Sequence, residues 1–174
     1  MFSLTLRHEA QILLSELRAE ALMLAGAESC TGGLIMGLLT EIAGSSDVVD
    51  RGFVTYSNEA KQECLGVNPA LIAELGAVSK EVACAMAQGA LVFSNADIAV
   101  SVTGVAGPTG GTVDKPIGLV HMAVARSGSD TMHVEHRFGE ISREEIRLAT
   151  VEAAIKLLRE VVRAGPIHGG ANLN

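Results

Sequence analysis

Aromatic residues are nearly missing from this chain of 174 residues, which has no tryptophan, one tyrosine and four phenylalanines. It offers little surface on which bases could stack, so recognition of a nucleotide would have to lean on backbone N–H groups. Basic residues are also scarce. Thirteen Lys and Arg stand against 20 Asp and Glu, a formal net charge of −7, the reverse of a surface built to neutralise polynucleotide phosphates. Nucleic acid is therefore not an expected partner. Long apolar runs are lacking too: Leu34–Leu39 and Ile117–Ala125 fall well short of the ~20 residues that span a bilayer, so no membrane span is expected. The opening residues lack a basic stretch followed by an unbroken apolar one, which makes the cytoplasm the expected compartment. The three cysteines, Cys30, Cys64 and Cys84, are widely spaced with no C-x-x-C pair. Neither a disulfide framework nor a zinc site is indicated.

What the chain does have is a foldable average. Hydrophobic residues make up 48% of it and charged residues 19%, enough apolar surface for one domain over residues 1–165, with 166–174 expected as a flexible tail. Leu6, Ala10, Leu13, Leu14, Leu17 and Ala21 recur at helical spacing and predict an opening helix over residues 4–20. Leu22–Ala27 then reads as a strand, broken by the turn Glu28-Ser29-Cys30-Thr31-Gly32-Gly33 before a second helix. A strand is expected over Gly52–Tyr56, with Asn58 capping a short helix that holds Lys61 and ends at Gly66. Short and longer helices follow after Pro69 and Ser79. Ile98–Val102 reads as a buried strand that runs into the glycine loop Thr103–Gly111. Ile117–Ala125 and Thr131–Phe138 flank Ser127-Gly128-Ser129-Asp130 as an antiparallel hairpin, and Ser142 opens a closing helix. This pattern implies a single three-layer α/β/α domain around a mixed sheet of about five strands.

Two strand ends carry unusual loops, Glu28–Gly33 and Thr103–Gly111, and ligands of α/β sheets gather beyond such ends. A small hydroxyl followed by glycines at a helix start exposes N–H groups able to hold an anion or an oxyanion. The spacing matches neither the Walker loop nor the G-x-G-x-x-G pattern, nor the G-x-S-x-G elbow. Ser29 stands where a nucleophile would, or equally where an N-cap serine would. His8 and His168 lie near the ends and His121, His133 and His136 lie on the hairpin, so no Ser-His-Asp triad is supported. Of the four lysines, Lys61 directly follows a strand end, five residues after Tyr56. It is a general base if burial or a neighbouring cation keeps it neutral, and a solvated surface lysine otherwise.

The blocks Ala27-Glu28-Ser29-Cys30-Thr31-Gly32-Gly33, Gly44-Ser45-Ser46, Arg51-Gly52-Phe53-Val54-Thr55-Tyr56-Ser57-Asn58-Glu59-Ala60-Lys61, Gly76-Ala77-Val78-Ser79 and Thr103-Gly104-Val105-Ala106-Gly107-Pro108 follow one another in order. In these blocks the chain resembles the CinA C-terminal domain family in its stand-alone nicotinamide-nucleotide amidase form. The resemblance covers nearly the whole chain. It implies hydrolysis of the carboxamide of nicotinamide mononucleotide to nicotinic acid mononucleotide and ammonia, in pyridine-nucleotide salvage and without a cofactor. By motif position it makes Ser29 the nucleophile, Lys61 its base and Tyr56 a third catalytic-site residue. Backbone groups of Cys30, Thr31, Gly32 and Gly33 would then hold the oxyanion. Anchors for the phosphate are expected among Thr31–Gly33, the loop with Thr103, Gly104, Gly107, Gly110 and Gly111, and Arg143 or Arg147. Longer relatives carry a further N-terminal domain, whose activity does not transfer to this chain. The resemblance is also compatible with a homo-oligomer. Two rival readings are a non-catalytic nucleotide-binding or competence-related module and a cysteine nucleophile at Cys30.

Overall fold

A computed structural model describes residues 2–166, so the expected tail lies, beyond Pro166, outside the described residues. In chain order the elements are α1 (Leu4–Ala19), β1 (Leu24–Glu28), α2 (Leu34–Thr40), β2 (Val49–Val54), α3 (Asn58–Leu65), α4 (Pro69–Leu75), α5 (Lys80–Val92), β3 (Ile98–Gly104), β4 (Leu119–Arg126), β5 (Met132–Arg137) and α6 (Arg143–Ala164). One five-stranded sheet runs in the order β2-β1-β3-β4-β5. β1 pairs in parallel with β2 and β3, whereas β3, β4 and β5 are antiparallel neighbours. The sheet is mixed, as the hairpin pattern implied.

The chain leaves β1 toward β2 through α2, then returns past β1 to β3 through α3, α4 and α5. Crossovers of one hand that move in opposite directions place their helices on opposite faces. Accordingly α1, α2 and α6 bury Leu13, Leu17, Ile35, Leu38, Ile155 and Leu158 against Leu24, Val100 and Met122 on one face. On the other, Leu65, Ile72, Val82 and Met86 pack on Ala25, Ala27 and Ala99. Further along that face, Ala83 and Ala87 meet Ala123 and Ala125. Alanines on both sides bring α5 close to the sheet. Gly89 lets it come equally close to α3, because a Cβ there would lie 2.0 Å from the Leu65 carbonyl oxygen.

Two local expectations are corrected. β2 begins at Val49 and stops at Val54, short of Tyr56, whereas the residue types pointed to Gly52–Tyr56. It is an edge strand defined by its pairing with β1, so polar Asp50 and Arg51 fit into it without an apolar signature. The cap of α3 is Ser57 rather than Asn58. Ser57 has extended backbone and its hydroxyl accepts from the Ala60 N–H at 3.0 Å, while Asn58 is the first helical residue. At α6 the expectation holds: Ser142 and Glu145 form a reciprocal capping box.

Candidate active site

The end of β1 divides two chemistries between two faces of the sheet. Successive strand residues point to opposite sides. Leu24 belongs to the α1/α2/α6 layer, and a Cβ on Gly26 would strike Met36 of α2 at 2.5 Å. Glu28 therefore faces α2, and Ser29, whose N–H extends the ladder to the Val102 carbonyl at 3.1 Å, faces the α3 side.

Lys61 meets it there. Lys61 lies in the first turns of α3, is only 1% exposed, and brings Nζ to 3.0 Å from the Ser29 hydroxyl. The same nitrogen donates to the Thr55 carbonyl at 2.7 Å and makes a long 3.5 Å contact with the Ser57 carbonyl. No carboxylate pairs with Lys61 among the described residues. Burial holds its ammonium below the ordinary lysine value, with the Cys30 sulfur as the opposing influence. A solvated surface lysine is excluded by this placement. Ser29, 9% exposed, is not the N-cap of α2 either, since Gly33 occupies that position in the left-handed region at φ 96°.

The loop between them spends most of its amides internally. Gly32 N–H donates to the Ser29 carbonyl at 3.1 Å, and Gly33, Ile35 and Met36 donate to the Glu28 carboxylate at 2.9, 3.1 and 2.9 Å. Cys30 and Thr31 N–H donate to no backbone carbonyl; both are turned to the Cys30 sulfur. The Cys30 thiol is itself buried. Burial, aided by the charge of Glu28, pushes it up to about 12, which removes the thiolate a cysteine nucleophile requires.

The remaining expected residues form a rim and an outlying loop. Arg143, at the start of α6, donates to the Tyr56 hydroxyl at 2.8 Å and to the Gly107 carbonyl at 2.7 Å. Arg147, one turn on, donates to the Thr31 carbonyl at 2.7 Å. Tyr56 is 61% exposed, and no hydrogen bond joins it to Ser29 or Lys61. A cavity of about 420 Å³ lies beside this rim, lined by Leu34, Arg143, Glu144, Arg147 and Leu148. Thr103 is buried and donates its hydroxyl to the Ala77 carbonyl at 2.8 Å; a Cβ on Gly104 beside it would strike Val120. Gly110 and Gly111 line a different cavity, of about 570 Å³, with Pro108, Val113 and Glu140. Glu28, Thr55 and Ser57 were not singled out from the sequence. Two of them act through carbonyls, which carry no side-chain signal, and Glu28 was legible only as a carboxylate at the end of an apolar strand.

The model of the CinA C-terminal domain matches residues 7–162. The chain belongs to the CinA C-terminal domain family. A CinA-like protein of Geobacter sp. (strain M21) is 51% identical over 143 residues, 82% of this chain and 34% of that protein. A putative competence-damage inducible protein of Caldicellulosiruptor saccharolyticus is 48% identical over 153 residues, 87% of this chain and 36% of its own length. The chain thus spans about a third of these relatives. Among solved structures, the competence/damage inducible protein CihA from Agrobacterium tumefaciens superposes with a TM-score of 0.90 at 51% identity, covering 92% of this chain and 97% of that one. A CinA superfamily protein from Klebsiella pneumoniae gives 0.88 at 32% identity, covering 92% and 99%. The five-stranded mixed sheet is the CinA superfamily fold. No helix among the described residues is long and apolar enough to cross a membrane.

Proposed function

We propose that this CinA-family chain is a serine amidase that hydrolyses the carboxamide of nicotinamide mononucleotide to nicotinic acid mononucleotide and ammonia. One observation carries the reading: a buried lysine without a carboxylate partner, its amine 3.0 Å from a serine hydroxyl at a strand end. A neutral amine has two N–H groups and one lone pair. With the N–H groups turned to the Thr55 and Ser57 carbonyls, the lone pair is left for the Ser29 proton.

In this mechanism Lys61 accepts that proton as Ser29 Oγ bonds to the amide carbon, and the oxyanion is received by the Cys30 and Thr31 amides. The C–N bond then breaks as Lys61 returns the proton to the leaving nitrogen, which departs as ammonia. Water attacks the acyl ester, gives a proton to Lys61 and yields the acid, and the proton returns to Ser29. The electron-poor pyridinium ring makes the carbonyl easier to attack. Tyr56 and Arg143 border the approach as one hydrogen-bonded unit. The phosphate is assigned to Arg143 and Arg147, since the first amides of α2 are spent on Glu28.

The test is incubation with nicotinamide mononucleotide in the absence of added metal, following ammonia and the acid product for the native chain and Ser29→Ala together. The expected outcome is turnover by the first and a loss of at least ~10³-fold in the second at unchanged melting temperature. Full activity in Ser29→Ala would remove the nucleophile, and binding without turnover by the native chain would favour the non-catalytic module.

A further inference from the structure

The least expected group near the site is Glu28, which is fully buried yet forms no ion pair among the described residues. Its two oxygens accept three backbone N–H groups from the start of α2: Gly33 and Ile35 on one, Met36 on the other. Both oxygens therefore serve as acceptors. That is the position an anionic ligand takes at a helix N-terminus, and here the protein's own side chain takes it.

We propose that Glu28 is the positioning residue of the nucleophile loop. Anchored in the sheet by the pairing of β1 with β2 and β3, where it lies in register with Val54 and Val102, it holds Gly33 and the first turn of α2. The turn over residues 29–33 is thereby closed from both ends: at Ser29 by the ladder to Val102, at Gly33 by the carboxylate. Of the loop amides, those of Cys30 and Thr31 are committed to no carbonyl or carboxylate, only to the weakly accepting Cys30 sulfur, and are the ones that can turn to the carbonyl under attack. The same arrangement makes the start of α2 unavailable to the substrate phosphate. It also keeps the Glu28 carboxylate away from Lys61, whose ammonium form a close carboxylate would stabilise.

This inference rests on Ser29 being the nucleophile, and its test separates the two. Glu28→Gln has almost the same shape but presents one acceptor oxygen and an NH₂ group to three N–H donors. The native chain, Glu28→Gln and Ser29→Ala are compared for melting temperature, for kcat and KM on nicotinamide mononucleotide across pH, and for the rate at which a small fluorophosphonate labels Ser29. Loss of one oxyanion donor costs about 10²–10³-fold in kcat, so a fall of about 10²-fold in kcat and in labelling rate is expected, with KM within about threefold and the acid limb unmoved. Rates within twofold of native overturn the proposal, and so does an acid limb displaced by a full pH unit, since the carboxylate would then act through charge on Lys61. If the native chain labels at Ser29 but releases no ammonia, the substrate reading fails while the labelling rates still judge Glu28. Should Glu28→Gln not fold, or Ser29 not label, amide NMR of the native chain decides. Titration with inorganic phosphate is expected to leave the Gly33, Ile35 and Met36 amides unshifted, and saturable shifts there overturn the assignment.

Discussion

Arg143 donates to the Tyr56 hydroxyl at 2.8 Å across 87 residues of sequence, fastening the start of α6 to the loop after β2. Because the same guanidinium also holds the Gly107 carbonyl, one side chain joins three segments of the chain. Tyr56 is therefore expected to act in concert with Arg143. A double-mutant cycle with Tyr56→Phe and Arg143→Ala checks it. Each single change is expected to lower kcat/KM by about 10-fold or more, with a coupling of about 1 kcal/mol between them. Simple additivity would separate their roles.

In the proposed mechanism Lys61 sets the acid side of the pH profile. Its ammonium is destabilised by burial, and only the neutral amine takes the Ser29 proton. kcat is therefore expected to rise with pH through a value below the ordinary lysine 10.5, and a pH-independent rate on the acid side would remove the base.

The same burial has a signed effect on stability. Below the lowered pKa the folded chain carries a buried charge. Between that pKa and the ordinary value the unfolded chain binds the extra proton, so Lys61 makes stability rise with pH across that window. Lys61→Met should be inactive, melt higher than the native chain at neutral pH, and lose this advantage as the pH approaches 10. Thermal melts across pH measure this. An advantage that grows with pH contradicts the linkage.

Cys30, next to the proposed nucleophile, is expected to be unreactive. With its thiol pushed up to about 12 and its side chain buried, iodoacetamide at neutral pH should label the exposed Cys64 and leave Cys30 unmodified. Cys30→Ala should keep activity within a fewfold. Peptide mapping by mass spectrometry and a single kinetic assay settle both points.

Gly89 has no place in the chemistry, yet it fixes where Lys61 sits. A methyl group there collides with the Leu65 carbonyl at the end of α3, so Gly89→Ala must push α5 and α3 apart. Overpacking of this kind costs about 1–3 kcal/mol, and the displaced helix is the one carrying Lys61. Lower melting temperature and reduced kcat are expected together, by calorimetry and ammonia release. An unchanged melt would show that the helices separate without cost.

Most of the fold could be read from the residues because its signals are local. The apolar repeat of α1, the serine caps of α5 and α6, and the Ser127–Asp130 turn each specify an element on their own. β2 was misplaced because edge pairing, not burial, defines it, and Asn58 displaced Ser57 because both are good caps and only backbone geometry selects between them. At the site, Ser29 and Lys61 became a pair through motif resemblance, since nothing in a spacing of 32 residues brings them together. The roles of Glu28 and of the Thr55 carbonyl were illegible for another reason. They depend on which face of a sheet a residue meets, and that is decided by strands far away in sequence.

The alternation at the end of β1 has a consequence for how this site tolerates change. Removing one residue inside the strand would rotate every following side chain by half a pleat. The carboxylate would then swing toward the lysine and the hydroxyl into the layer of α2, replacing the Ser29–Lys61 contact by a closed ion pair. A single-residue insertion or deletion in β1 is expected to abolish the proposed chemistry even where every motif residue is still spelled out.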